Sequence, residues 1–238
     1  MAGNCHSRVW GSRDLERHRG SKSIGAQPIL IEAAVESLES ALTAESAGAD
    51  RIELCANLGV GGTTPSGSLI AAVLDQTKLP VFVMIRPRGG SFVYSDEEIE
   101  TMLDDIESAR STRVAGIVTG ALTHDARVDV ERTRALVDAA AGLPVTFHKA
   151  FDSTNDLPDA LEQLVRIGVN RVLTSGGART ALDGASPIAH LVDRARDRIA
   201  IIAGGRVRAH NVRELIVRTG VREVHAREVQ GIRQALTG

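Results

Sequence analysis

Cysteine is nearly absent from this chain. The two thiols, Cys5 and Cys55, stand in unlike contexts without paired spacing. That argues against a disulfide framework and makes a reducing cytoplasm the expected setting. Lysine is almost as scarce, confined to Lys22, Lys78 and Lys149, and the formal net charge is only -2. No basic stripe is left to serve nucleic acid or an acidic membrane surface, so neither is expected as a partner. No apolar run reaches the roughly 18 residues of a membrane-spanning helix. Metal-spacing motifs are missing too: there is no CxxC, no HExxH and no histidine cluster.

What is present suits one packed α/β domain, with 43% hydrophobic and 24% charged residues, ordinary values for a soluble globular chain. Residues 1–27 differ. They show little apolar periodicity, carry Arg8, Arg13, Arg17, Arg19 and Lys22 against Asp14 and Glu16, and hold the one tryptophan, Trp10. They read as a disordered N-terminal tail, leaving 28–238 as a single domain.

From Pro28 onward, short apolar runs alternate with longer amphipathic ones. Strands are expected at 29–33, 51–56, 81–87, 116–121, 144–150, 171–176, 199–204 and 222–226, each start about one βα unit after the last. Helical patterns between them include 37–49, 95–110, 129–142, 156–169 and 209–220. Ser95 or Asp96 followed by Glu98 reads as a capping box, and Gly48, Gly142, Gly168 and Gly220 stand where helices should stop. Eight such units predict a (β/α)8 TIM barrel. An open nucleotide-binding sheet would show a glycine-rich turn after its first strand, where this chain has AVES. Little sequence follows the eighth strand, so the last helix is expected to be short or missing.

The carboxyl ends of barrel strands face the mouth where such folds do chemistry. Here they carry Glu32, Glu53, Arg86, His148 and His225. Each alone is as well explained by a buried ion pair or a satisfied histidine. Together, five ionisable groups at one mouth read as a site, with Glu32, Glu53, Arg86 and His148 the catalytic candidates on equivalent rungs of the barrel. Strand alternation puts Cys55 on the same face as Glu53 and turns Lys149 away from His148. Two glycine-rich loops, TSGG (174–177) and AGGR (203–206), follow the sixth and seventh strands, where barrels commonly bind phosphate. Ser175, Gly176, Gly204 and Gly205 are therefore the candidate anion cradle. The loop RPRGGSFVYSD (86–96) reads as an anion clamp or as an ordered lid or dimer contact.

Four stretches, ADRIELCANLGVGGTTPS (49–66), VFVMIRPRGGSFVYSDEEI (81–99), PVTFHKAFD (144–152) and RVLTSGG (171–177), closely resemble the CutC copper homeostasis family, and the resemblance runs from Ile29 to Arg227. It implies a cytoplasmic (β/α)8 barrel, often a homodimer, linked to copper handling, without a well-defined reaction. It also implies a Cu(I) pair formed by Cys55 and a cysteine on the first strand, where this chain has Ala34. Family members can carry a further cysteine where Ala226 stands, and a longer C-terminal segment. Two functions stay open. One is copper homeostasis with Cu(I) held by Cys55 and His225 or a second chain. The other is an enzyme of the lyase or isomerase kind, doing acid–base work on a small anionic or phosphorylated metabolite. A barrel that has lost its activity is a blander third.

Overall fold

The computed structural model describes residues 28–238; the tail expected over 1–27 lies outside them. Eight parallel strands close into one barrel in chain order. They are β1 (Leu30–Val35), β2 (Arg51–Leu54), β3 (Val81–Met84), β4 (Gly116–Thr119), β5 (Val145–Phe147), β6 (Arg171–Thr174), β7 (Ala200–Gly204) and β8 (Glu223–Ala226). The helices are α1 (Leu38–Ser46), α2 (Gly67–Gln76), α3 (Asp96–Arg110), α4 (Val130–Ala139), α5 (Leu157–Ile167), α6 (Ala185–Ala195), α7 (Val212–Thr219) and α8 (Gln230–Thr237). The last helix is short but present: Ile232 is fully buried, and Arg233 donates to the Gly48 carbonyl at 2.9 Å. The seam between β8 and β1 pairs Leu30 with Glu223 and Glu32 with His225.

Local chemistry sets these boundaries. Ser95 caps α3 and its box with Glu98 is complete, while α4 and α5 start on Asp129 and Asp156 side chains that accept backbone N–H groups. Gly168 (φ 95°) and Gly220 (φ 71°) end α5 and α7 in the left-handed region that a Cβ disfavours. The main apolar core lies between barrel and helices, where Ile31, Ala33, Ile52, Leu54, Val81 and Val83 face outward from the strands. Their neighbours, by alternation, fill the interior.

That interior is layered, because the strand registers bring four side chains from alternate strands to each level. Lowest are Arg51, Gly116, Arg171 and Glu223, then Glu32, Phe82, Thr146 and Ile202. Next come Glu53, Val118, Leu173 and His225, and above them Ala34, Met84, His148 and Gly204. The floor is ionic: Arg51 bonds both Glu32 and Glu223, and the guanidinium carbons of Arg51 and Arg171 lie 5.1 and 4.1 Å from the Phe82 ring centre. Gly116 makes room for that ring, since a Cβ there would stand 2.0 Å from Phe82 Cε1.

Candidate functional site

Two small residues in the fourth layer, Ala34 and Gly204, leave space above the third. The resulting cavity, about 440 Å³, is lined at depth by Glu53, Leu173 and His225 and higher up by Met84, Arg86, Phe92, His148, Lys149 and Arg227. Gly204 cannot be replaced without loss of shape: a Cβ would meet Leu173 Cδ1 at 2.6 Å and His225 Cβ at 3.3 Å.

Glu53 and His225 form the cavity floor, with His225 Nε2 2.8 Å from Glu53 Oε2. Burial pushes the Glu53 carboxyl up, but His225, and after it His148 and Cys55, together hold the group below its ordinary value. For His225 burial acts downward and Glu53 upward, and the net shift is up. Both shifts favour the carboxylate–imidazolium pair at neutral pH. His148 is the opposite case. Buried and facing Arg86, its ring is driven down to about 3, so it is neutral. Its Nδ1 accepts the Ala150 N–H at 3.3 Å, which leaves the ring proton on Nε2.

The catalytic candidates line the barrel interior at different heights, not on equivalent rungs. Glu32 sits one layer below Glu53, bound to Arg51, and does not line the cavity. One of its carboxylate oxygens still lies within 4.8 Å of a Glu53 oxygen and a His225 ring nitrogen, the one such group of three among the described residues. Arg86 follows the end of β3 and lines the cavity, but its guanidinium donates to the carbonyls of Val60 (3.2 Å), Gly62 (3.0 Å) and Gly90 (2.9 Å) and stacks 4.6 Å over Phe92. It fastens the two loops that wall the mouth.

The expected anion cradle has an occupant from the same chain. Asp152 accepts from the backbone N–H of Ser175 (2.9 Å) and Gly177 (2.9 Å) and from the hydroxyls of Thr174 (2.5 Å) and Ser175 (2.9 Å). The Gly176 N–H goes to Thr174, and at Gly205 an added Cβ would come within 3.5 Å of Lys149 Nζ. Lys149 is itself a correction. The strand expected to run to residue 150 ends at Phe147, and His148 caps a 3-10 turn over Lys149–Ser153. Alternation therefore stops, and Lys149 swings into the mouth, where its Nζ meets Ser175 Oγ at 2.8 Å and Asp152 at 3.0 Å. Arg227, which sequence reasoning passed over, also lines the cavity.

Of the metal candidates, His225 reaches the cavity, while Cys55 is fully buried with its Sγ 3.7 Å from Glu53 Oε2. Burial first, and then Glu53, push its thiol well above the ordinary value.

Comparison with known proteins places this arrangement. Residues 29–230 match the model of the CutC family. The chain belongs to the CutC family. A CutC family protein of Pasteurella multocida is 48% identical over 195 residues, 82% of this chain and 80% of that one. The human copper homeostasis protein cutC homolog is 45% identical over 213 residues, 90% of this chain and 78% of its own. A solved CutC structure from Streptococcus agalactiae superposes with a TM-score of 0.80 at 38% identity, covering 84% of this chain and 99% of that one. The CutC barrel seen here has no helix, among the described residues, long and apolar enough to cross a membrane.

Proposed function

We propose that this CutC-family chain serves copper homeostasis, as the names of its human and mouse relatives say of them, and that it works by binding a small anionic metabolite in the barrel mouth for acid–base chemistry. It does so in the cytoplasm, as a homodimer. The observation that carries the site is the Glu53–His225 pair on the floor of a cavity whose upper wall holds Lys149 and Arg227. Cations at the entrance attract and orient an anion, and the hydrogen-bonded carboxylate–histidine pair below can take and return a proton. His148, neutral and with its N–H on Nε2, offers a hydrogen bond that adds no charge.

Copper as a resident cofactor fits these residues poorly. Cu(I) prefers thiolate and thioether ligands. Ala34 offers no donor, Cys55 is held as a thiol, and the group of three close ligands, Glu32, Glu53 and His225, is made of oxygen and nitrogen. A second reading, Cu(I) at Cys55 and His225, is favoured only by their shared contact with Glu53 Oε2.

One pair of titrations separates the two. Orthophosphate and a set of phosphorylated metabolites are titrated calorimetrically into wild type, Lys149→Met, Arg227→Met and Cys55→Ser, and Cu(I) is titrated against a chelator. The anionic reading expects affinity to fall about tenfold in either cation variant, the worth of one charge-assisted contact, and to persist in Cys55→Ser. A Cu(I) site that Cys55→Ser abolishes, with no anion bound, would favour copper instead.

A further inference from the structure

Three buried polar atoms without a partner in the chain belong to side chains that line this one cavity: Glu53 Oε1, His148 Nε2 and Arg86 Nε, the first an acceptor and the other two donors. Glu53 Oε2 is taken by His225 and Cys55, but Oε1 is unbonded. His148 gives its Nδ1 to Ala150, but Nε2 is unbonded. Both residues are nearly inaccessible, at 2% and 3% exposure. Leaving such a group unpaired is costly, and a ligand that satisfies both recovers that cost on binding.

The chemistry of the Glu53 and His148 atoms narrows what the ligand can be. The acceptor needs an acidic hydrogen and the donor needs an oxygen lone pair. Phosphate, sulfate or a plain carboxylate brings oxygens to both and confronts Glu53 with like charge. An alcohol satisfies both atoms, yet a hydroxyl needs no carboxylate–histidine pair beneath it, and burying such a pair is costly. A carbonyl with a hydrogen on the adjacent carbon answers all three features, because a neutral imidazole N–H suits an oxygen that gains charge only during reaction.

We infer that the cavity takes an enolisable carbonyl compound bearing an anionic group, its carbonyl oxygen bonded to His148 Nε2 and its adjacent C–H presented to Glu53 Oε1. This rests on the anionic-ligand reading above and adds the functional group that the cavity selects. In the step, Glu53 takes the proton from carbon. The C–H electron pair becomes the new C=C bond, and the carbonyl π pair moves onto oxygen, where the His148 N–H stabilises it. Return of a proton to the same carbon restores the ligand with its hydrogen exchanged, so no oxidant or second reactant enters.

The experiment uses the full chain in D2O with dihydroxyacetone phosphate and hydroxypyruvate, each beside its alcohol, glycerol 3-phosphate and glycerate. Proton NMR reads loss of the C–H signal next to the carbonyl, calorimetry reads affinity, and 15N NMR of labelled histidine reads the tautomer of His148. Expected are exchange at least about a hundredfold above buffer for one carbonyl compound, abolished by Glu53→Gln, at least about tenfold tighter binding than its alcohol, and the His148 proton on Nε2. Alcohols binding as tightly as carbonyls, no exchange, or a proton on Nδ1 would each overturn the inference. In the first case the anionic-ligand reading survives, since both probes share the anion. If no probe binds and orthophosphate fails as well, both readings fall.

Discussion

His225 Nε2 meets Glu53 Oε2 at 2.8 Å across β1, which lies between their strands and places only Ala34 above them. The bond joins the seam of the barrel and makes the cavity floor in one contact. Its pH dependence follows from the two shifts. The Glu53 value is lowered from 4.5, so its contribution is present above that pH and is lost as pH falls through the folded value. The His225 value is raised from 6.5, so its contribution is complete below 6.5 and is lost as pH rises through the folded value. Stability contributed by the pair should therefore peak between about 4.5 and 6.5. Glu53→Gln should cost about 3 kcal/mol there, as expected for breaking a buried pair, and less at alkaline pH. Urea denaturation across pH checks this; a loss that does not change with pH would contradict the ion pair.

Glu32 tests whether depth in the barrel separates structure from chemistry. Burial raises its carboxyl while Arg51 opposes, and the net shift is up. Its contact with Arg51 lies one layer below the cavity floor. Glu32→Gln should lower the melting temperature, with a cost of about 2 kcal/mol for a weakened charged hydrogen bond, and leave anion affinity at the mouth within about twofold. In the same floor, Gly116→Ala drives a Cβ into the Phe82 ring and should cost about 3 kcal/mol or more by overpacking. Thermal melts and calorimetry of both variants give the answer.

How much of this could be read from the chain depends on where the pleat holds. Alternation from β2 put Cys55 correctly on the inner face with Glu53, although Cys55 lies one residue past the end of that strand, and the strand-end position of His225 on β8 put it there too. It failed at Lys149, two residues past a strand that stops early because the His148 side chain caps a tight turn. Arg51, Arg171 and Glu223 begin their strands, where a charge reads as a solvated end; nothing local shows that they converge with Glu32 and Phe82 beneath the site. The glycines of TSGG do form an anion-accepting loop, but the anion is Asp152, more than twenty residues upstream, and no spacing rule links them.

That internal anion carries its own consequence. Asp152 ties the loop after β6 to the turn after β5 and holds Lys149 at the mouth. Asp152→Asn keeps the size but removes the charge, so the Ser175 and Gly177 N–H groups lose a charge-assisted acceptor. The variant should lose about 2 kcal/mol of stability and bind anions several-fold more weakly, because Lys149 is no longer positioned. Hydrogen exchange should speed first at Ser175 and Gly177. Unchanged exchange there would show that the loop is held by its own turn geometry.

The Cys55 thiol supplies the last prediction. It is fully buried, and burial followed by Glu53 and Glu32 raises it well above its ordinary value, so thiolate is scarce at neutral pH. Because alkylation proceeds through the thiolate, iodoacetamide at pH 8 should label Cys55 in the folded protein about tenfold or more slowly than free cysteine. Access and charge are distinguished by Glu53→Gln, which leaves burial unchanged but removes the second-largest influence on the thiol. If electrostatics contribute, the variant reacts faster than wild type under identical folding conditions; if access alone limits, the two rates agree. Mass spectrometry of the peptide that contains Cys55 separates its labelling from that of Cys5. Rapid labelling of native Cys55 would mean that the thiol reaches solvent, and would restore the case for a soft-metal site at the mouth.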